Sequence, residues 1–339
     1  MEASIQMLHP VHGGPDAQGV APHDFSTNGN ACGPCPLVVS TLRAVEAAHY
    51  PDPRYTTLKE RLARFHGVEA SRIVIAASAS EFIFRITSGI ARRGGRSVSL
   101  PPHAYGDYAR AAVAWGLQTR HASGTGRSDA SLVWLCDPSS PLGQGDGDID
   151  GIVDRLRKGA AAVLDLAYEP LRLEGSLALE RRQRDRVWQM WTPNKALGLT
   201  GIRAAYAIAP VDDAGLAGEL DSLAPSWPVG AHGVALLEAW ADAPAQTWLA
   251  QTVQVLRGWK ADQIALCESI GWSPQPSVAN FLCVRLPGPD PAALLAHLRD
   301  HGIKLRDTAS FGLPAHARLA VMPPESLRAL RDALRSAPP

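Results

Sequence analysis

Apolar positions recur along this 339-residue chain in two periods, and the alternation between them runs through most of its length. PLVVSTLRAVEAAHY, starting at Pro36, and YTTLKERLARFHG (Tyr55–Gly67) space their apolar side chains three and four apart, as helices with one buried face do. RIVIAAS (Arg72–Ser78) is a short β-branched run that predicts a strand, and EFIFRITSGIARRGG predicts a helix stopped by glycines. SVSLPP, SLVWLC, AAVLDLAY, RVWQMW and IRAAYAIAP predict further strands, with helices in YGDYARAAVAWG and IDGIVDRLRKG between them. Strands and helices alternating at these lengths imply an α/β fold with a mostly parallel sheet flanked by helices on both faces. Val229 to Trp272 is nearly all helix-compatible, in two long amphipathic stretches broken near ADAPAQ; VANFLCVRL, PAALLAHLRDHG, IKLRD, ARLAVM and PESLRALRDAL then resume the alternation. The expected organisation is an N-terminal arm and first helix (1–45) packing with a smaller C-terminal α/β domain on long helices (229–339), beside a large domain (46–228).

Composition narrows the class of function. The 33 basic residues cancel the 33 acidic ones, which gives no electrostatic reason to expect a nucleic-acid or membrane partner. No run of about 18 apolar residues spans a bilayer. MEASIQMLHPVHGG lacks a basic segment followed by an apolar one, so no signal peptide is expected. Five cysteines, an odd and sparse set, favour a reducing cytoplasm over a disulfide framework.

One motif pulls the other way. NACGPCPLVV (Asn30–Val39) holds Cys32 and Cys35 at dithiol spacing, just before a predicted helix whose dipole lowers a thiol pKa. The βαβ frame of a dithiol oxidoreductase is missing, because only polar, Gly- and Pro-rich residues precede it. Gly33, Pro34 and Pro36 serve equally well as turn and helix-start residues. The structural reading of the motif leads.

The carboxyl ends of parallel strands, where α/β active sites gather, carry a more coherent set. Ala79-Ser80-Glu81 opens a helix after one strand, and Tyr105 follows the next. Asp137 to Pro141, Asp165 with Tyr168, and Lys195 with Gly198, Gly201 and Arg203 follow the later ones. A helix start with a serine and an arginine suits a phosphate. A carboxylate leaving an apolar strand can hold a protonated pyridine nitrogen, a lysine can form a Schiff base, and a tyrosine can stack on a planar ring. These are the parts that pyridoxal 5'-phosphate requires; no metal is called for.

The spacing carries a resemblance. TPNKALGLTGIRAAY resembles the Ser-x-x-Lys-x-x-Gly-x-x-Gly-x-Arg signature of fold-type I pyridoxal-phosphate enzymes, with Lys195 and Arg203 eight apart. DLAYEP resembles the family's upstream Asp-x-x-Tyr, and DPSSPLG a degraded Asn-Pro-x-Asn-Pro-Thr-Gly. FSTNGNACGPCP is similar to the N-terminal loop of histidinol-phosphate aminotransferases, while HGG (His12–Gly14) and HYPDPRY resemble the threonine-phosphate decarboxylases of cobalamin biosynthesis. The resemblance extends from about His12 to the final helix and implies a class I/II aminotransferase-group fold with a small C-terminal domain.

It also implies roles. Lys195 carries the Schiff base and moves protons; Asp165 faces the ring nitrogen and Tyr168 the phenolic oxygen. Ser80, the amides of Ala79 and Ser80, and Arg203 hold the phosphate, with Glu81 capping the helix start. Tyr105 stacks on the ring, with Tyr108 as runner-up. Tyr50, or in its place Tyr55, reaches the cofactor phosphate of a neighbouring subunit, which implies a homodimer with shared active sites. Arg318 grips the substrate carboxylate as a guanidinium fork, and Arg306 lies near the distal group. Asn28, Asn30 and His12 line the substrate entrance, and Gly33 belongs to a loop that closes over the substrate. Ser140 stands where the family carries an asparagine on the phenolic oxygen, so a longer or water-mediated bond is expected there.

The leading expectation is an aminotransferase, converting a small amino acid, with or without a phosphate or other anionic tail, to its keto acid. The alternative keeps the cofactor and decarboxylates threonine phosphate or a similar substrate. A dithiol oxidoreductase and a degenerate cofactor-binding regulator stand behind both.

Overall fold

A computed structural model describes residues 12–121, 124–145 and 147–335. The described chain opens with a short strand, β1 (His23–Asp24), and two helices, α1 (Pro36–Arg43) and α2 (Thr56–His66). Seven strands then build the main sheet: β2 (Ile73–Ala76), β3 (Ser97–Leu100), β4 (Gln118–His121), β5 (Leu132–Cys136), β6 (Ala161–Asp165), β7 (Trp188–Trp191) and β8 (Ala205–Ile208), in spatial order β2-β8-β7-β6-β5-β3-β4. Every neighbouring pair is parallel except the two made by β8. β5 and β6 are buried along their whole length, which is why they read as unbroken apolar runs.

Helices cover both faces: α3 (Ala79–Arg92), α4 (Gly106–Ala114), the short α5 (Ile149–Asp154) and α6 (Arg181–Arg184), and α7 (Ala214–Leu223). Alternation along β2 shows the division. Val74 and Ala76 pack with Phe82, Ile86 and Trp188, whereas Ile73 and Ile75 pack with Leu58, Tyr206 and Leu236 on the other face. α8 (Ala231–Trp240) and α9 (Ala243–Ser269) follow. At 27 residues α9 is about 40 Å long, enough to reach from the main sheet to a second one.

The second sheet has the order β12-β13-β10-β9, with β9 (Ser273–Pro274), β10 (Phe281–Arg285), β12 (Arg306–Asp307) and β13 (His316–Ala320) all antiparallel. It packs on α10 (Pro291–Asp300) and α11 (Pro324–Arg335) through Leu282, Val284, Leu298 and Leu330. Phe25 of the N-terminal arm enters that cluster, and β1 pairs in parallel with β11 (Ile303–Lys304).

Three elements differ from the sequence expectation. The first helix ends at Arg43 rather than running on toward Tyr50, because residues 44–50 are mostly exposed and have no surface on which to bury an apolar face. β4 reads QTRH and is exposed throughout; it is an edge strand, and edges keep polar side chains. α7 carries a weak apolar pattern, but Leu216 and Leu220 bury against the sheet.

Candidate active site

Because β8 runs against its neighbours, its beginning lies on the edge where β2, β5, β6 and β7 end. Residues before β8 and residues after the other strands therefore converge. They line a cavity of about 530 Å³ between this edge and the second sheet. Of the residues singled out in the sequence, His12, Asn28, Ala79, Ser80, Tyr105, Ser140, Asp165, Tyr168, Lys195, Arg203, Arg306 and Arg318 all line it.

Asp165 is buried at the end of β6. Tyr108 donates its hydroxyl proton to Oδ2 at 2.6 Å, and the Ala167 amide donates to Oδ1 at 2.9 Å. Burial pushes this carboxyl above its ordinary value, opposed by the Tyr108 hydroxyl and, more weakly, by the charge of Lys195. A buried carboxylate of this kind gains from a cation placed against it. Tyr108 is itself locked by stacking on Trp134, centroids 4.1 Å apart. The runner-up for ring stacking thus supports the carboxylate instead.

Lys195 follows β7 on a loop braced from below. The Asn30 amide donates to the Lys195 carbonyl and the Cys35 amide to that of Leu197, both at 2.9 Å. Gly33 takes part in this bracing and does not line the cavity: a Cβ there would stand 2.9 Å from Cα of Gly198. Its glycine serves close backbone approach rather than substrate contact. Asn30 is likewise a brace, its amide donating to Ala196 O and Thr252 Oγ1. Lys195 Nζ lies 5.5 Å from the centre of the Tyr168 ring.

At the start of α3 the Ser78 hydroxyl accepts from the Glu81 amide at 3.1 Å. The Glu81 carboxylate turns back to the Ala77 amide and pairs with buried Arg85, which offsets its charge against an anion placed at the helix start. Ser80 Oγ lies 3.2 Å from the Tyr105 hydroxyl. Arg203 is exposed to the cavity mouth and makes no ion pair among the described residues. Thr192, three residues before Lys195, is buried with its hydroxyl unpartnered; the sequence reading passed over it, although it occupies the first position of the Ser-x-x-Lys pattern. A helix start, serine and threonine hydroxyls and an arginine at one end, and a buried carboxylate flanked by a lysine at the other, fit a flat cationic ring with a phosphate tail.

The opposite wall comes from the second sheet. Arg306 and Arg318 are register partners on β12 and β13, and both are buried. Arg318 donates to Ser140 Oγ and Ser26 O, each at 3.0 Å, while its Nε has no partner. The Ser140 hydroxyl, expected on the cofactor side, is held by this arginine. Arg306 donates to Ser310 Oγ at 2.8 Å and to the Asp307 carbonyl. Burial, and then the charge of Arg318, push its guanidinium down to about 10. The Phe311 ring lies near both guanidinium groups. Nothing in the local pattern marks Ser310 or Phe311.

Tyr50 lies away from this cavity, 77% exposed and stacked on Trp227 with centroids 4.4 Å apart. Tyr55 is buried, donating its hydroxyl to Val229 O at 2.7 Å. All five cysteines are free thiols, and burial pushes Cys32 up, the reverse of what a reactive dithiol needs.

A mostly parallel sheet with this constellation on its carboxyl edge defines a fold-type I pyridoxal-phosphate enzyme, and pyridoxal 5'-phosphate is its cofactor. The chain belongs to the class I and II aminotransferase family: the model described as Aminotransferase class I and II matches residues 24–334. It is 28% identical over 323 residues to a histidinol-phosphate aminotransferase of Jannaschia sp. (strain CCS1), covering 90% of this chain and 88% of that one. A histidinol-phosphate aminotransferase of Symbiobacterium thermophilum is 27% identical, with 93% and 91% covered. Among solved structures, the fold is similar to histidinol-phosphate aminotransferase from Sinorhizobium meliloti in complex with pyridoxal-5'-phosphate (TM-score 0.78, 24% identity, 91% and 90% covered). It is also similar to L-threonine-O-3-phosphate decarboxylase from Porphyromonas gingivalis (TM-score 0.74, 21% identity, 91% and 96% covered). No helix among the described residues is long and apolar enough to cross a membrane.

Proposed function

We propose that the protein moves an amino group between an amino acid carrying an anionic tail and a keto acid. The observation that carries this reading is the pair Arg306 and Arg318, two buried guanidinium groups side by side on one cavity wall. Like charges so placed repel each other, and an anion between or beside them relieves both. Among the described residues, Ser310 Oγ and the Asp307 carbonyl accept from Arg306, and Ser140 Oγ and the Ser26 carbonyl accept from Arg318, which orients both forks toward the cavity wall they share.

The bound cofactor supplies an electron sink for the pair of electrons left at the substrate Cα. Lys195 Nζ would take the substrate Cα proton and hold it for return. Asp165, held by Tyr108, keeps the ring nitrogen protonated. The Tyr168 hydroxyl, which accepts from Asn28 Nδ2 at 3.4 Å, would be left with its proton to donate to the cofactor's phenolic oxygen. Ser80, Thr192 and Arg203 hold the phosphate. Arg318 grips the carboxylate and Arg306 the tail, so the substrate is oriented at both ends before any proton moves.

A second reading has one observation in its favour. His12 and Gly13 line the cavity mouth, with the His12 ring 5.9 Å from that of Tyr105, and they open the HGG stretch that resembles the phosphate-bearing amino-acid decarboxylases. The two reactions differ in which Cα bond stands perpendicular to the ring. Measuring amino transfer to 2-oxoglutarate beside carbon dioxide release over one amino-acid panel decides between them; transfer without gas release is expected. The exposed Tyr50–Trp227 pair is assigned to a contact with a second copy of the chain, with shared sites, which sedimentation of the holoenzyme checks.

A further inference from the structure

We infer that His103 is a positioning residue that sets the tail-binding arginines, acting through the loop of Phe311; this rests on the anionic-tail reading above. His103 lies between the end of β3 and Tyr105, on the cofactor side of the cavity. Its Nδ1 is 2.8 Å from the Phe311 carbonyl on the opposite side. A carbonyl only accepts, so Nδ1 carries the proton and donates.

One hydrogen bond suffices to place the far loop because that loop is stiff. The Phe311 amide donates to Thr308 O, the Gly312 amide to Ala309 O and the Leu313 amide to Thr308 O. Buried Thr308 turns its hydroxyl to the carbonyls of Leu313 and His316, and the Ala309 amide is capped by Asp307 Oδ1. Gly312 closes the turn at φ 76°, a conformation that favours glycine. A block tied internally in this way moves as a unit, so fixing Phe311 fixes Ser310 as well.

Those two residues touch the arginines. Ser310 Oγ accepts from Arg306, and the Phe311 ring centre is 5.0 Å from the Arg306 guanidinium carbon and 5.9 Å from that of Arg318. On its own side, two residues along, Tyr105 meets Ser80 and the His12 ring. His103 therefore couples the wall that holds the cofactor to the wall that reads the tail.

The test compares holoenzyme carrying His103→Ala with His103→Asn, whose amide can still donate. Two measurements are made: hydrogen exchange of amides 308–313, and binding of O-phospho-L-serine and L-serine followed by visible absorption. In His103→Ala the loop amides exchange faster, and affinity for O-phospho-L-serine falls about five- to tenfold while that for L-serine changes less than about twofold, the scale of one lost hydrogen bond. His103→Asn restores both. Unchanged exchange overturns the inference, and so does faster exchange with unaltered phosphoserine affinity. Equal binding of the two ligands by the unsubstituted enzyme overturns the tail reading and the inference with it, and that failure shows in the parent protein rather than in the variant.

Discussion

The two walls of the cavity are built in different ways. The cofactor wall is the edge of a sheet whose central strands are buried on both faces; Asp165 leaves β6 and Lys195 follows β7 beside it, so the core that holds the strands also holds the chemistry. The substrate wall is made of two-residue and five-residue strands, a one-turn loop and the N-terminal arm. Its positions depend on ties between distant segments: His103 to Phe311, Arg318 to Ser26, and the exposed clamp of Asp16 with Arg299 and Lys304. On the proposed reading, chemistry common to the family belongs to the sheet edge, and selection among substrates belongs to the wall held by ties between distant segments.

Substitutions can break this contrast, and the largest effect belongs to the cofactor wall. Lys195→Ala removes the group to which we assign the proton transfer, and turnover is expected to fall by about 10²–10⁴-fold or more while the fold is retained; steady-state rates and circular dichroism check both halves. On the substrate wall, Arg318→Lys keeps the charge and loses the planar fork. A loss of about 2 kcal/mol in kcat/KM, or roughly thirtyfold, is expected, because a charge-assisted bond of the guanidinium has no replacement. An equal loss with amine substrates that lack a carboxylate would show that Arg318 acts elsewhere.

Away from both walls, His66 sharpens the comparison by testing the scaffold. Burial, then the charge of Arg184, push its imidazole down to about 4, and its Nε2 lies 2.7 Å from the Tyr206 hydroxyl. Between pH 6.5 and about 4 the unfolded chain binds a proton that the folded chain refuses, so stability falls as pH falls through that window. The loss is on the order of 2–3 kcal/mol at its lower end. Urea midpoints across that range should flatten in His66→Gln; an unchanged acid slope would place the sensitivity in other groups.

The smallest effect is expected at the clamp. Arg299 and Lys304 hold the exposed Asp16 carboxyl well below the usual carboxylate range. The clamp is therefore kept above the ordinary carboxylate pKa and lost only as pH falls through the depressed one. Asp16→Asn should raise KM about twofold at low salt and less at high salt, since exposed pairs are weak and screened.

Legibility in the sequence follows the same division. Lys195, Gly198 and Arg203 lie on one loop, and their spacing is visible because one local turn makes it. Asp165 shows as a carboxylate at the end of an apolar run, where burial without a partner would be costly. The second wall left little local trace. Arg306 and Arg318 stand out through family resemblance, but their pairing needs the antiparallel register of β12 on β13, and Phe311 matters only because a loop 208 residues away meets it. Gly33 resembles a closing-loop residue in the sequence because glycine and proline look the same above a substrate as beneath a catalytic loop; only the approach of Gly198 tells them apart. Edge strand β4 and helix α7 were hidden for a simpler reason, since their apolar patterns are weak.

The central claim is that Lys195 is the residue joined to the cofactor, beside Asp165. Reduction of the yellow holoenzyme with borohydride, followed by digestion and mass spectrometry, tests it most directly. The account predicts a phosphopyridoxyl group on the peptide containing Lys195 and on no other lysine. A label on a different lysine, or none after reduction bleaches the colour, contradicts it.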